Sequence, residues 1–559
     1  MSAPPRPAPG PAHGPGPRLQ DRTPAGGGPT ERCDAVVIGS GPNGLVAANA
    51  LADAGWDVVV LEAADEPGGA VRSSEVLGPG VVTDLFSAFY PLAAASPVIR
   101  DLGLDAHGLV WRRSPDVLAH PLVDGTCAVL HAEAADTAAR LDDDAPGDGD
   151  AWLRMVARWD RIRDPLLDLL FTTFPPVRPT ARLLHRLGTA DAVDLLRQLT
   201  TPVRRLAAEE FRGREAALLL AGNAVHADVP PDAAGSGLYG WLLTMLGQDV
   251  GYPVPEGGAG RLAHALVDRA RAGGARLETG AEVVGIDVAG GRATGVRLAD
   301  GRRVLAARAV LADVSAPALY ERLLPPAAVH PRLRDRISRF EWDPSTVKVS
   351  WALDGPVPWS AEGARRAGTV HLGVDVDGFV TASAALSTGK RPERPFVVLG
   401  QMGVADPTRT PPGTETAWAY THLPRALATD ENAVHAQVEA LESAVEDVAP
   451  GFRDRVGARL VQTPLDLQAA DANLDLGAIN GGSSSLHHQF FLRPVGGLGR
   501  PATPVDGLYL ASASAHPGGG VHGACGWNAA RSALAEAGPT GSVRRALGRT
   551  AWRRLLGPG

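Results

Sequence analysis

Residues 33–62 constrain the fold more tightly than any other stretch. The segment "CDAVVIGSGPNGLVAANALADAGWDVVVLE" sets two short apolar runs, AVVI and VVVL, on either side of a helix-spaced stretch that opens at Pro42 and stops at Gly55. Short apolar runs suit parallel strands covered on both faces. A proline in the first turn and a glycine at the end mark helix bounds. Gly39, Gly41 and Gly44 form G-x-G-x-x-G at the strand-to-helix turn, with Ser40 and Asn43 inside it. The first glycine allows the bend, the second lets a diphosphate touch the backbone, and the third lets helix and strand pack closely. The helix start adds free N–H groups and a partial positive charge. Glu62 ends the second strand, 23 positions after Gly39, where a carboxylate can accept hydrogen bonds from a ribose. A glycine-rich turn alone can serve packing. Strand, helix, strand and acid in sequence predict a dinucleotide site with an unphosphorylated ribose.

Two further glycine clusters extend this prediction. Directly after Glu62 and Ala63 comes "ADEPGGAVRS", in which Gly68 and Gly69 can open amides to a diphosphate and Arg72 can add fixed charge. Taken alone, this is equally a surface turn with a solvated arginine. At 515–526, "AHPGGGVHGACG" precedes the helix-like "WNAARSALAEA" and follows the short strand "LYLA". Bare backbone at a helix start has a use when something must approach the main chain closely. Were the dinucleotide FAD, its length would require a second hold far from its diphosphate. Amides of Gly519, Gly520 and Val521, on to Gly523, can stabilise negative charge on the pyrimidine edge of a flavin.

The G-G-x-x-R pattern resembles the second phosphate-contacting loop of glutathione-reductase-like flavoproteins, especially the amine oxidase and phytoene desaturase branches. "TPVDGLYLASASAHPGGGVHGACGWNAA" resembles the C-terminal signature of the phytoene dehydrogenase-like family. "SSSLHHQFFLRPV" at 483–495, "GYPVPEGGAGRLAHAL" at 251–266 and "GGRATGVRLADGRRVLAARAVLAD" at 290–313 are similar to the branch of pyridine nucleotide-disulfide oxidoreductase domain-containing protein 2. The resemblance implies an α/β fold, a glutathione-reductase-like (Rossmann-type) FAD-binding domain with an inserted α+β substrate domain. It also implies FAD as cofactor and a backbone contact from Val283 to the adenine. Four residues depart from the family pattern: Ala511 and Ser512 where a small residue and then glycine are usual, Cys525 for proline, and Trp527 for arginine. "PEGGAGRL" is not a second nucleotide fingerprint, because no buried strand precedes it and no acid follows a second strand.

The expected FAD-binding domain is discontinuous, over 33–100, 251–330 and 495–540, with the substrate domain over 101–250 and 331–494. Segment 281–313 reads as a β-meander, its strands separated by "AGGR" and "ADGR". Residues 150–245 are helical and aliphatic, suited to an inter-helix core or to the lining of a hydrophobic tunnel. Residues 1–32 form a Pro/Gly-rich tail with no secretion-signal core. Residues 541–559 alternate Val543, Leu547, Trp552, Leu555 and Leu556 with five arginines. That pattern fits docking on the parent chain or peripheral contact with a membrane surface.

The balance of 54 basic against 62 acidic residues, spread along the chain, excludes a nucleic-acid partner. Cys33, Cys127 and Cys525 stand too far apart in sequence for a C-x-x-C dithiol or a zinc site, so no metal is expected. With no apolar stretch reaching the ~18 residues of a membrane span, the cytoplasm is the expected location.

Hydride transfer from a conjugated carbon to a flavin can proceed without an acid or base, through orientation and exclusion of water. Two side chains are nevertheless catalytic candidates. His516 lies in the ring-side loop, where it could equally satisfy backbone. Lys348, in "STVKVSWAL", is one of two lysines in the chain, with Lys390; the plain alternative is a solvent-facing strand residue. The expected function is an FAD-dependent oxidoreductase acting on a lipophilic, isoprenoid-like small molecule. The alternatives are a flavin amine oxidase using oxygen, and a non-catalytic prenyl-binding protein of the same fold, as in Rab GDP dissociation inhibitors.

Overall fold

The structure is a computed structural model that describes residues 30–497 and 499–557. The first strand, β1, spans Thr30–Ile38 and is followed by the helix α1, Pro42–Asp53, and the strand β2, Val58–Leu61. Thr30, Glu31 and Arg32 pair with Arg303, Val304 and Leu305. The boundary expected at residue 32 is corrected accordingly: these three residues have ladder partners and belong to the sheet. The rest of the expected tail lies outside the described residues.

β1 pairs in parallel with β2 and with Arg303–Ala312; β2 continues to Arg276–Glu278, and Arg303–Ala312 to Leu508–Leu510. This five-stranded parallel core explains the unbroken apolar runs. Val36 and Ile38 point into one hydrophobic core with Val59, Leu61, Val310 and Leu508. Ala35 and Val37 point into another, with Val58, Val60 and Leu311, covered by Ala47, Ala48 and Leu51 of α1 and by Ala529, Ala530 and Ala533 of the helix Ala524–Ala537. Both faces are covered, so neither can alternate with polar residues. The meander is present as the antiparallel strands Val283–Ala289 and Arg292–Leu298, the second pairing with the start of Arg303–Ala312.

A second seven-stranded sheet is built from Asp116–Pro121 and Cys127–His131 together with Ser345–Leu353, Ala367–Leu372, Val397–Gln401, Glu415–Leu423 and Val456–Gln462. Val347, Val349, Trp351 and Leu353 fill the core beneath the helix Glu431–Val448. Thr346, Lys348 and Ser350, on the opposite face, are buried as well. The polar face of this strand therefore looks into the molecule and not into solvent, and helices from 148–250 pack over that side of the sheet. Leu333 and Ile337 join the core under the first sheet. The boundary expected at 331 therefore falls later in the chain.

The last helix, Gly541–Leu556, docks through Trp552 and Leu556 and leaves Val543 and Leu547 60% and 67% exposed. Among the described residues no helix is long and apolar enough to cross a membrane.

Candidate active site

The turn between β1 and α1 requires its glycines. Gly39 has φ +90°, and a Cβ there would meet the Asp313 carbonyl at 2.8 Å; a Cβ on Gly44 would meet the Gly39 carbonyl at 2.2 Å. Gly41 caps α1 without any side-chain bond, and the Asn43 Oδ1 is buried with no partner. The second glycine cluster closes on this turn. The Gly68 amide donates to the Ser40 carbonyl at 3.0 Å, and a Cβ on Gly69 would stand 3.1 Å from the Gly41 Cα. Arg72 is braced by the carbonyls of Gly69 at 2.9 Å and Ala470 at 2.7 Å. Glu62 accepts from the Ser40 amide and hydroxyl at 2.8 and 2.6 Å and from the Ala64 amide at 2.9 Å. Beyond Ala63, the chain at Ala281, two residues before Val283, donates to the Glu62 carbonyl at 2.7 Å. Val283 is thus a buried strand residue beside the acid.

The C-terminal glycine cluster lies against the same helix. A Cβ on Gly526 would sit 1.8 Å from the Asn43 carbonyl, and one on Gly523 2.8 Å from Val46 Cγ2. Helix Ala524–Ala537 thus rests directly on α1, and this contact brings the starts of the two helices, separated by most of the sequence, together. Gly518, Gly520 and Gly523 have positive φ, and so does Val521 at +52°. The loop is held from inside: His522 Nε2 bonds to the Gly518 carbonyl at 3.1 Å, and Ser96 Oγ donates to the His522 carbonyl at 2.8 Å. A Cβ on Gly519 would lie 3.0 Å from the Asn480 carbonyl. Arg493 is buried and donates only to carbonyls, those of Ala513, Ser483, Asn480 and Gly482.

The two catalytic candidates separate. His516 Nε2 meets the Thr172 carbonyl at 3.2 Å, and burial pushes the imidazole down to about 4. It tethers the C-terminal glycine loop to the end of the helix Asp148–Phe171. Lys348 is 3% exposed. Its Nζ donates to the Asp84 carbonyl and, at 3.2 Å, to that of Phe86, and lies 5.4 Å from the centre of the Trp418 ring. Burial pulls this amine down to about 7. Tyr420, its cross-strand partner, has its ring 6.4 Å from that of His226, and both side chains are only partly covered.

Residue-by-residue reading missed several groups. The Asp313 carboxylate accepts from the Gly44 amide at 2.7 Å, and burial pushes it up to about 8. His422 Nε2 meets Asp228 at 2.7 Å, and Asp228 also accepts from Asn480. Arg493 alone carried a signal, inside "FFLRP". The three cysteines are free and buried, with thiols pushed up to about 12 by burial. Among the described residues no group of His, Cys, Asp or Glu is arranged to hold a metal ion.

The family model for flavin containing amine oxidoreductases matches residues 43–534, from the first turn of α1 nearly to the end of the helix behind the C-terminal glycines. The chain belongs to this family. Like the flavin containing amine oxidoreductases it is an FAD-dependent oxidoreductase enzyme, with a Rossmann-type fold and an inserted mixed α+β substrate domain. It is 31% identical to the mouse pyridine nucleotide-disulfide oxidoreductase domain-containing protein 2, over 89% of this chain and 92% of that one. It is 28% identical to a neurosporene-forming phytoene desaturase of Cereibacter sphaeroides, over 90% and 95%. Wild-type putrescine oxidase bound to putrescine shares the fold, with a TM-score of 0.58 at 17% identity, over 91% and 99%. The family's FAD fits the residues present: the start of α1 has no side-chain cap, which leaves backbone amides as donors for a diphosphate.

Proposed function

We propose that this chain oxidises an amine at the carbon next to nitrogen, with oxygen as the final electron acceptor. The observation that carries the reading is Lys348: a buried amine, poised near neutrality, on the inward face of the substrate sheet beside Trp418 and Tyr420. Gly39, Ser40, Gly41, Asn43 and Gly44, with Gly68, Gly69 and Arg72, would hold the FAD diphosphate. Glu62 and Ala63 would hold the ribose, Val283 the adenine side, and Gly519, Gly520 and Val521 the ring. Bound FAD supplies the two-electron acceptor. Lys348 can hold or release a proton at Nζ near pH 7, as proton transfer at a working site requires. The faces of Trp418 and Tyr420 favour a cationic amine as it arrives. The enclosing helices keep water out, which strengthens each of these contacts. His516 serves by fixing the ring-side loop.

A second reading, oxidation of a lipophilic, isoprenoid-like molecule, is supported by Leu169, Leu170, Leu238 and Leu242, which pack on the helical core with surface left open. The phytoene desaturase relative supports it too. In that reading Val543 and Leu547, set among arginines, would meet a lipid surface. Anaerobic mixing of the FAD-loaded enzyme with a panel of amines and polyenes decides between the two. Amines are expected to bleach the flavin absorbance, and admission of air to release hydrogen peroxide. Bleaching by polyenes alone would overturn the amine reading.

A further inference from the structure

Asp84, Arg409 and Asp406 form an ionic triad with no solvent contact on any of the three side chains. Arg409 Nη1 donates to Asp84 at 2.8 Å and Nε to Asp406 at 3.1 Å, while Nη2 reaches the Pro255 carbonyl at 3.2 Å. The remaining acceptors are met by the "PEGGAG" segment and its neighbours. The Gly257 amide donates to Asp406 at 2.7 Å, and the Ala259 amide and the Ser73 hydroxyl donate to Asp84 at 2.8 and 2.7 Å. The segment that resembled a second nucleotide turn thus donates its amides to carboxylates. Two carboxylates against one guanidinium leave the triad one negative charge in excess. Burying such an excess is costly unless a counter-charge stands near. Lys348 is one cation within reach, bonded to the backbone carbonyl of Asp84 itself, and Arg112 is another, on the Asp406 side.

We propose that the Asp84–Arg409–Asp406 triad is the charge support of Lys348, fixing where its Nζ sits and whether it carries a proton. Arg409, Asp406 and Asp84 are therefore positioning residues that act through Lys348. Other polar groups face Lys348 from every side. Trp418, Tyr420 and His422 come from Glu415–Leu423, and Gln462 lies opposite on Val456–Gln462. Tyr90 hydrogen-bonds Ser87 at 2.9 Å on the segment after Asp84, and Arg72 lies 5.1 Å from the Phe86 ring centre. Burial opposes the charged ammonium, and Asp84 favours it. The triad's charge is a contribution that substitution can change in either direction.

The catalytic meaning of this arrangement rests on the amine reading, but its test does not. The chain has two lysines, so FAD-loaded protein labelled with 13Cε-lysine gives two titrating signals, assigned by the exposed Lys390. Asp406→Asn, which removes the excess negative charge, is expected to lower the Lys348 midpoint. Arg409→Gln, which enlarges the excess, is expected to raise it, each by about one pH unit or more. Arg409→Lys keeps the charge and should restore the midpoint; the third signal it adds is identified by its absence from the spectra of the parent chain and the other variants. If Arg409→Gln does not fold, the other two variants still give opposite expectations, a shift against none. A Lys348 midpoint indifferent to Asp406→Asn, or moved in the same direction by Asp406→Asn and Arg409→Gln, overturns the proposal. Shifts as expected without bleaching by amines would remove the proposed reaction and leave the triad standing. Bleaching without shifts would remove the triad alone.

Discussion

A diphosphate held at the start of α1, as we propose, would compete with Asp313, whose carboxylate already accepts from the Gly44 amide there. Burial raises this acid to about 8, so at neutral pH it is protonated and does not repel an anion. Above pH 8 it ionises, and the two negative charges oppose each other. FAD affinity, measured by flavin fluorescence, is therefore expected to fall by about tenfold per pH unit above 8 and to stay flat in Asp313→Asn. An equal fall in both would show that Asp313 is not the group responsible. At this scale legibility divides by cause. Gly39, Gly41 and Gly44 show in sequence because the chemistry fixes their spacing within one turn. Asp313 meets its partner 269 positions away, and Asp84 meets Arg409 325 positions away. Among 62 acidic residues, nothing local marks a carboxylate that will be buried and paired.

Among the elements, the contact between α1 and Ala524–Ala537 decides whether the two glycine turns share a groove. Gly526→Ala puts a methyl group 1.8 Å from the Asn43 carbonyl, so the helices must move apart. The expected cost is about 1–3 kcal/mol, read as a lower urea midpoint together with weaker FAD binding. Unchanged FAD binding in a destabilised variant would show that the two turns act separately. The βαβ unit was legible because strands covered on both faces are continuously apolar, and the meander because its turns carry glycine. The substrate sheet was not. Its strands come from 116–131 and 345–462, and the alternation in Ser345–Leu353 reads as one buried and one wet face. The structure buries both, the polar one beneath the helices of 148–250, which is why Lys348 could be mistaken for a surface residue.

For the whole molecule, buried histidines set the acid limit. Burial pushes His120, His226, His516 and His522 down to about 4 from an ordinary 6.5. Between those values the unfolded chain binds protons that the folded chain does not, so stability is lost as pH falls below 6.5. Each such imidazole costs about 1.4 kcal/mol per pH unit across that window. The thermal midpoint is expected to drop steeply from pH 6.5 to pH 5, and a flat profile there would contradict the burial of these rings. The account as a whole depends on one FAD held by backbone amides from both ends of the chain. Hydrogen–deuterium exchange with and without FAD tests it most directly. Segments 39–44 and 518–523 are predicted to gain protection together at the same FAD concentration, and protection confined to 39–44 would contradict it.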